Sequence, residues 1–269
     1  MASTQGLQQV QARMARNGER VALVTGAARG LGLAIATRLA DEGHPVVLTD
    51  ASAQVEAAAR GLRESGADAV ALELDVTDDE AVRTLPQRLE TLGPYWSRLA
   101  VLVNNAGISP KHQGAKRPVA EIPAQEWRRV LEVNLTGAFL VTQACLPALC
   151  ARGWGRIVMI TSQAARTRTP VPGAHYAASK AGLAGFARTL AGEIADRGVT
   201  VNCVAPGRIA SEMTAAVDPQ VNATLARLIP VGRLGEPQEV AATVAFLVSE
   251  GAAYLNGATL DVNGGNFMA

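Results

Sequence analysis

From Arg20 onward the chain alternates short apolar runs with longer amphipathic stretches, and this rhythm limits the fold more than any other feature. Val21–Thr25, Val46–Asp50, Ala69–Leu74, Leu99–Asn104, Arg156–Thr161, Thr200–Val204 and Thr259–Val262 are too short for helices and almost continuously apolar. They read as strands covered on both faces. Between them, Leu31–Glu42, Ser52–Glu64, Asp78–Leu92, Gln125–Ala151, Ala174–Asp196 and Pro237–Ser249 read as helices. Strand and helix in strict alternation call for an α/β fold, a doubly wound parallel sheet of about seven strands with helices on both faces. No Pro/Gly/Ser linker divides the chain, so residues 20–269 are expected to form one domain. Residues 1–19 are polar, lack the apolar segment of a secretory signal, and are expected to be a mobile extension. Thr77 before the acidic turn Asp78-Asp79-Glu80 marks a helix start.

Composition narrows the class. The 25 basic and 24 acidic residues leave a net charge of +1, which removes the electrostatic case for nucleic acid or an anionic membrane. Cys145, Cys150 and Cys203 form no CxxC pair, which suits a reducing, cytoplasmic setting. His44, His112 and His175 show no metal-ligand spacing, so no metal is expected. No uninterrupted apolar run approaches the roughly 20 residues that span a bilayer.

Thr25-Gly26-Ala27-Ala28-Arg29-Gly30-Leu31-Gly32 lies where the first strand turns into the first helix. Glycines there allow a tight turn, close approach of the backbone to a pyrophosphate, and close helix–strand packing. The helix N-terminus offers unpaired N–H groups to the phosphates. The spacing Gly-x3-Gly-x-Gly departs from the commoner Gly-x-Gly-x-x-Gly. Asp50 ends the second strand 18 residues after Gly32, where a carboxylate can accept hydrogen bonds from both hydroxyls of the adenosine ribose. A 2′-phosphate about 4 Å away would be repelled by roughly 4 kcal/mol at an effective dielectric near 20. This favours NAD over NADP, while Arg29 in the loop pulls the other way.

These motifs, in order, resemble the short-chain dehydrogenase/reductases with a single Rossmann-type domain. The resemblance runs from about Arg20 to Gly265 and adds Asp75-Val76, Asn104-Asn105-Ala106-Gly107, Asn134, Ser162, Tyr176-x3-Lys180 and Pro206-Gly207. Arg233-Leu234-Gly235-Glu236-Pro237 and Val262-Asn263-Gly264-Gly265 bring it nearest the 3-oxoacyl-carrier-protein reductase-like group. The resemblance implies that Asp75 and Val76 hold the adenine and that Asn104, Ala106 and Gly107 pass the ribose. It also implies that Pro206, Gly207, Ile209 and Ser211 border the nicotinamide, beyond Gly26, Arg29, Gly30, Leu31 and Gly32 at the phosphates.

Tyr176 and Lys180 are four apart on a helix and share a face. An ammonium about 4 Å from the phenol would bring its pKa from about 10 towards about 7, where a general acid/base works best. Ser162, at the end of the fifth strand, can donate to the substrate oxygen. By resemblance, Asn134 holds a water that links Lys180 to solvent, and Lys180 holds the nicotinamide ribose. The expected reaction is hydride transfer between NAD(H) and a secondary alcohol or ketone. The alternative is an NADP-dependent 3-oxoacyl thioester reductase.

Residues 108–117, 163–175 and 208–230 leave the carboxyl ends of strands four to six, where open α/β sheets bind ligands. Lys111, His112, Lys116, Arg117, Arg166, Arg168 and Arg208 make this mouth basic, which suits an anionic substrate. The Arg208–Gly235 stretch, helical around Pro219–Leu228, reads as a lid. The resemblance further implies a homotetramer built on Gln125–Ala151, Ala174–Asp196 and the final strand.

Overall fold

The computed structural model describes residues 17–215 and 217–268. Seven strands form one sheet: β1 (Val21–Thr25), β2 (Val46–Asp50), β3 (Ala69–Glu73), β4 (Leu99–Asn104), β5 (Gly155–Ile160), β6 (Val199–Pro206) and β7 (Thr259–Val262). Every pairing is parallel, and the spatial order is β3-β2-β1-β4-β5-β6-β7. The chain winds outward from β1 in one direction and then restarts at β4 in the other. The crevice above β1 and β4 is therefore the switch point at which such sheets bind ligands.

Alternation along each strand feeds two cores. On one face Val24, Leu48, Val103 and Ile160 pack against α1 (Gly30–Asp41), α2 (Gln54–Glu64) and α10 (Pro237–Leu247). On the other, Leu23, Leu102, Met159 and Val201 pack against α6 (Gly137–Ala151) and α7 (Ala174–Glu193). Full burial on both faces holds for the five inner strands only. β3 and β7 are half-buried because each has a single neighbour.

Two expected helices are subdivided. The stretch from Asp78 to Leu92 breaks at Thr84 into α3 (Asp79–Arg83) and α4 (Leu85–Thr91), where Pro86 at the start of the second piece forbids a continuous turn. The cap is Asp78, not Thr77: its carboxylate accepts from the Ala81 N–H at 2.9 Å. The long helix is α5 (Ala124–Leu131) and α6 joined by a π-helical turn, Glu132–Thr136. By length and composition Ala124–Ala151 could cross a bilayer, but Val141, Cys145 and Leu149 spend its apolar face on the second core.

Of the polar extension, residues 17–19 are held to the body. Asn17 donates to the Glu42 carbonyl, and the Gly18 and Glu19 carbonyls accept from Tyr95 and Arg152. The rest of that expectation, residues 1–16, lies outside the described residues.

Candidate active site at the sheet switch point

A cleft of about 790 Å³ opens above the carboxyl ends of β1, β4, β5 and β6, a size that suits a cofactor-sized ligand. Its floor is stapled across the switch point. The Thr25 hydroxyl accepts from the Asn105 and Ala106 N–H groups at 3.0 Å each, and the Asn105 amide donates to the Thr25 and Gly26 carbonyls. Gly26 has φ +64°, and a Cβ there would meet the Ala106 backbone at 2.8 Å. At Gly32 a Cβ would stand 2.1 Å from the Gly26 carbonyl oxygen. No side chain larger than hydrogen fits either position. The α1 N-terminus carries no side-chain cap and no acid in its first turn, so its N–H groups are left for an anion. Arg29, Gly30 and Leu31 complete this wall.

Asp50 lines the same cleft. Its carboxylate accepts from the Ala28 N–H at 3.1 Å and the Ser52 N–H at 3.0 Å, which fixes it at the end of β2. Arg29 reaches away from it to Glu212, at 2.9 Å, on α8 (Glu212–Ala215). Asp75 and Val76 form the next part of the wall. Burial works against the Asp75 carboxylate, but the Thr77 N–H and hydroxyl, with Arg129 beyond, hold its pKa below the ordinary value.

The opposite wall carries Ser162, Tyr176 and Lys180, with Gly107 between them and the glycine loop. The Ser162 oxygen accepts from the Ala164 N–H at 3.1 Å, and Ser162 acts on Tyr176 to lower its pKa. The Lys180 ammonium donates to the Ile160 carbonyl at 2.8 Å and lies 5.8 Å from the Tyr176 ring centre. Burial lowers the Lys180 pKa to about 8. Burial raises that of Tyr176, and Ser162 only partly offsets it. The expected drop of the phenol towards neutrality is thus not present here. The ammonium is spent on a carbonyl, and the low-polarity walls disfavour the phenolate.

Two expected site residues do not themselves line the cleft. The Asn104 side chain is buried and turns into the core, donating to the Thr142 hydroxyl at 2.9 Å; Asn105, beside it, takes the cleft side. Strand alternation forces one of the two to point each way. Asn134 is fully buried in the π turn beside Lys180: its Oδ1 and the Lys180 Nζ each stand 3.3 Å from where a Gly107 Cβ would be. Its amide is spent on both backbone groups of Ile108, at 2.7 and 3.0 Å, and on Ser179. It therefore clamps the loop after β4 against α7. Ala106, Pro206, Gly207, Ile209 and Ser211 line the cleft as expected.

A cluster absent from the sequence reading backs this wall. The Glu126 carboxylate accepts from His112 Nε2 at 2.7 Å and His175 Nε2 at 3.1 Å, with Arg117 at 3.4 Å. His175 Nδ1 accepts from the Tyr176 N–H at 2.7 Å, so its proton sits on Nε2. One carboxylate on α5 thus joins the loop after β4 to the residue before Tyr176. Only the pattern His-Tyr at 175–176 hinted at it.

The comparisons agree with this geometry. A family model described as enoyl-(acyl carrier protein) reductase matches residues 26–266. The 3-oxoacyl-[acyl-carrier-protein] reductase of Escherichia coli K12 is 41% identical over 250 residues, covering 93% of this chain and 98% of its own. A Brucella melitensis 3-oxoacyl-[acyl-carrier protein] reductase with bound NAD superimposes with TM-score 0.86 at 38% identity, covering 97% of this chain and 96% of its own. A putative gluconate dehydrogenase from Agrobacterium tumefaciens does so at 0.86 and 33% identity, covering 93% and 96%. Glycine cradle, stapled switch point and Tyr–Lys wall sit on a chain that matches these proteins nearly end to end, which makes it an oxidoreductase of the short-chain dehydrogenase/reductase family, in the 3-oxoacyl-carrier-protein reductase-like group, working with a nicotinamide dinucleotide.

Proposed function

We propose that the protein interconverts a secondary alcohol and a ketone of a small, anionic substrate, with NAD as the preferred dinucleotide. The observation that carries this reading is that Ser162, Tyr176 and Lys180 line the same cleft as Gly32 and Asp50. The residues fit a dinucleotide: the Gly26 and Gly32 cradle and the open α1 N-terminus would take the pyrophosphate, Asp50 the ribose, and Asp75 and Val76 the adenine. Gly107, Pro206, Gly207, Ile209 and Ser211 would border the nicotinamide. When bound, the dinucleotide supplies or accepts the hydride.

Tyr176 gives its proton to the substrate oxygen in reduction and takes it back in oxidation. Ser162 donates a second hydrogen bond to that oxygen and so stabilises the developing alkoxide. Lys180, on the same face, would hold the nicotinamide ribose; Asn134 keeps Ile108 and α7 in register around it. A phenol that burial holds above its ordinary pKa is suited to remain protonated until the alkoxide forms.

NAD is preferred because a 2′-phosphate would meet the fixed Asp50 carboxylate, while Arg29, the residue that could neutralise it, is paired with Glu212. The NAD-bound Brucella relative supports this reading. The alternative, an NADP-dependent 3-oxoacyl thioester reductase, draws on the name of the Escherichia coli relative. Steady-state kinetics with both cofactors on hydroxy acids, sugars, secondary alcohols and 3-oxoacyl thioesters separates the two. A preference of tenfold or more for NADP overturns the NAD assignment. Half-exposed Phe139 on α6, edge-to-face with Phe186 on α7, and the unpaired edge of β7 support a homotetramer. Light scattering should give four times 27.9 kDa. The cysteines are unpaired, in keeping with a cytoplasmic setting.

A further inference from the structure

Seven basic side chains surround the substrate mouth, and the structure divides them. Arg166 pairs with Asp261 at 3.2 Å, while His112 and Arg117 are taken up by Glu126. Arg168 makes no ion pair among the described residues, and Lys111, Lys116 and Arg208 likewise have no carboxylate within ion-pair distance. Each of the last three has only neutral acceptors. The Lys111 ammonium donates to the Ser109 hydroxyl at 2.9 Å, Lys116 lies 3.5 Å from the Thr169 carbonyl, and the Arg208 guanidinium donates to Asn222. Asn222, on α9 (Pro219–Leu228), is itself fixed by the Thr214 and Val217 carbonyls.

Lys111 and Arg208 do not line the cleft themselves but are attached to residues that do. Ser109, which takes the Lys111 ammonium, lines the same cleft as Tyr176, and Arg208 lies between the cleft-lining Gly207 and Ile209. Like charges held together and partly removed from water repel one another unless an anion completes the group. Lys111 reports that crowding: burial, followed by Arg208 and Lys116, lowers its pKa from 10.5 to about 8. The dinucleotide's own phosphates are not that anion. Arg208 leaves β6, three strands from β1 and four from β2, so strand spacing puts it roughly 14 Å from the glycine loop and 19 Å from the ribose acid.

We infer that Lys111 and Arg208, with Lys116 at the rim, form an oxyanion subsite that selects substrates bearing an acidic group beside the reacting alcohol or ketone. The inference rests on the dehydrogenase reading above and names its substrate class. The oxyanion is either a carboxylate on the substrate itself or the phosphate of a carrier arm, and the two sources share this recognition chemistry.

The test compares kcat/KM for hydroxy acids of three to six carbons with their methyl esters, and for 3-oxoacyl phosphopantetheine with 3-oxoacyl pantetheine. Wild-type protein is expected to prefer the charged member of at least one pair by tenfold or more. Lys111→Met and Arg208→Gln should each reduce that ratio by at least tenfold, and Lys111→Arg should restore it. The acid–ester arm responding assigns a carboxylate; the pantetheine arm, a phosphate. A ratio near one in every pair, or a ratio that neither substitution moves, overturns the subsite while the dehydrogenase stands. No turnover with any substrate and either cofactor overturns both.

Discussion

The two ends of the cleft are built from different materials. At the adenosine end the functional atoms are backbone N–H groups and two short acids, each within two residues of a strand end and each locked by local bonds: Asp50 by Ala28 and Ser52, Asp75 by Thr77. At the substrate end they are the tips of long side chains from separate loops, and their positions depend on distant tethers such as Glu126 and Asn222. The first end is specified by geometry that any dinucleotide needs. The second is specified by which cations are left unneutralised, and this is where related chains can diverge in substrate without disturbing the cofactor seat.

The largest expected effect lies between the two ends. Tyr176→Phe removes the one proton donor placed beside Ser162, and turnover should fall at least about a thousandfold, within the range general acid–base groups contribute. NADH binding, followed by its fluorescence, should persist because the glycine loop and Asp50 are untouched. Retained turnover would mean that the proton travels elsewhere.

Asp50→Ala tests the adenosine end. The repulsion removed is on the order of 4 kcal/mol at contact, so the NAD-over-NADP ratio of kcat/KM should shift towards NADP by roughly a hundredfold or more. Part of any loss with NAD will come from the freed Ala28 and Ser52 N–H groups. An unchanged ratio would show that the carboxylate does not face the ribose.

This contrast also explains what could be read from the sequence. The seven strands and their order of use follow from apolar runs and alternation, because burial on two faces leaves a local imprint. The glycine cradle was legible for the same reason: the backbone conflict at Gly32 involves Gly26, six residues away. Asn104 and Asn105 were not distinguishable, since composition does not state which member of an adjacent pair faces inward. The pairing of Arg166 with Asp261, or of His112 and His175 with Glu126, joins residues far apart in the chain. So does the choice of Ile160, rather than the phenol, as the Lys180 partner.

Glu126→Gln sharpens the comparison by loosening only the substrate end. The carboxylate lies against two histidines and Arg117, and these partners hold its pKa below the ordinary value against the effect of burial. Its stabilisation is therefore full above the unfolded value of about 4.5 and is lost as pH falls through the lowered folded value. Charge-assisted bonds of this kind are worth about 1.5–3 kcal/mol, and denaturant unfolding near neutrality should register a loss of that order. Because His175 holds the Tyr176 N–H, kcat should drop several-fold while the NAD dissociation constant stays put. A matching loss of NAD affinity would show that the two ends are coupled.

The smallest effect is a pH dependence that isolates Lys111. Its pKa of about 8 means that it is charged below that pH and neutral above it. The groups facing it are Arg208 and Lys116, both cationic side chains, and the neutral Ser109 hydroxyl. Lys180 also has a pKa of about 8, but it sits behind Tyr176 and affects an acid and its methyl ester alike. The acid-over-ester ratio of kcat/KM cancels that contribution together with the one from Tyr176. The ratio should be flat from pH 6 to about 7.5 and then fall several-fold towards pH 9.5, leaving the part that Arg208 sustains, since a guanidinium keeps its charge throughout. In Lys111→Arg the fall should vanish for the same reason. A ratio that stays level in the wild type, or an inflection that survives the arginine substitution, would place the acid's partner somewhere other than Lys111.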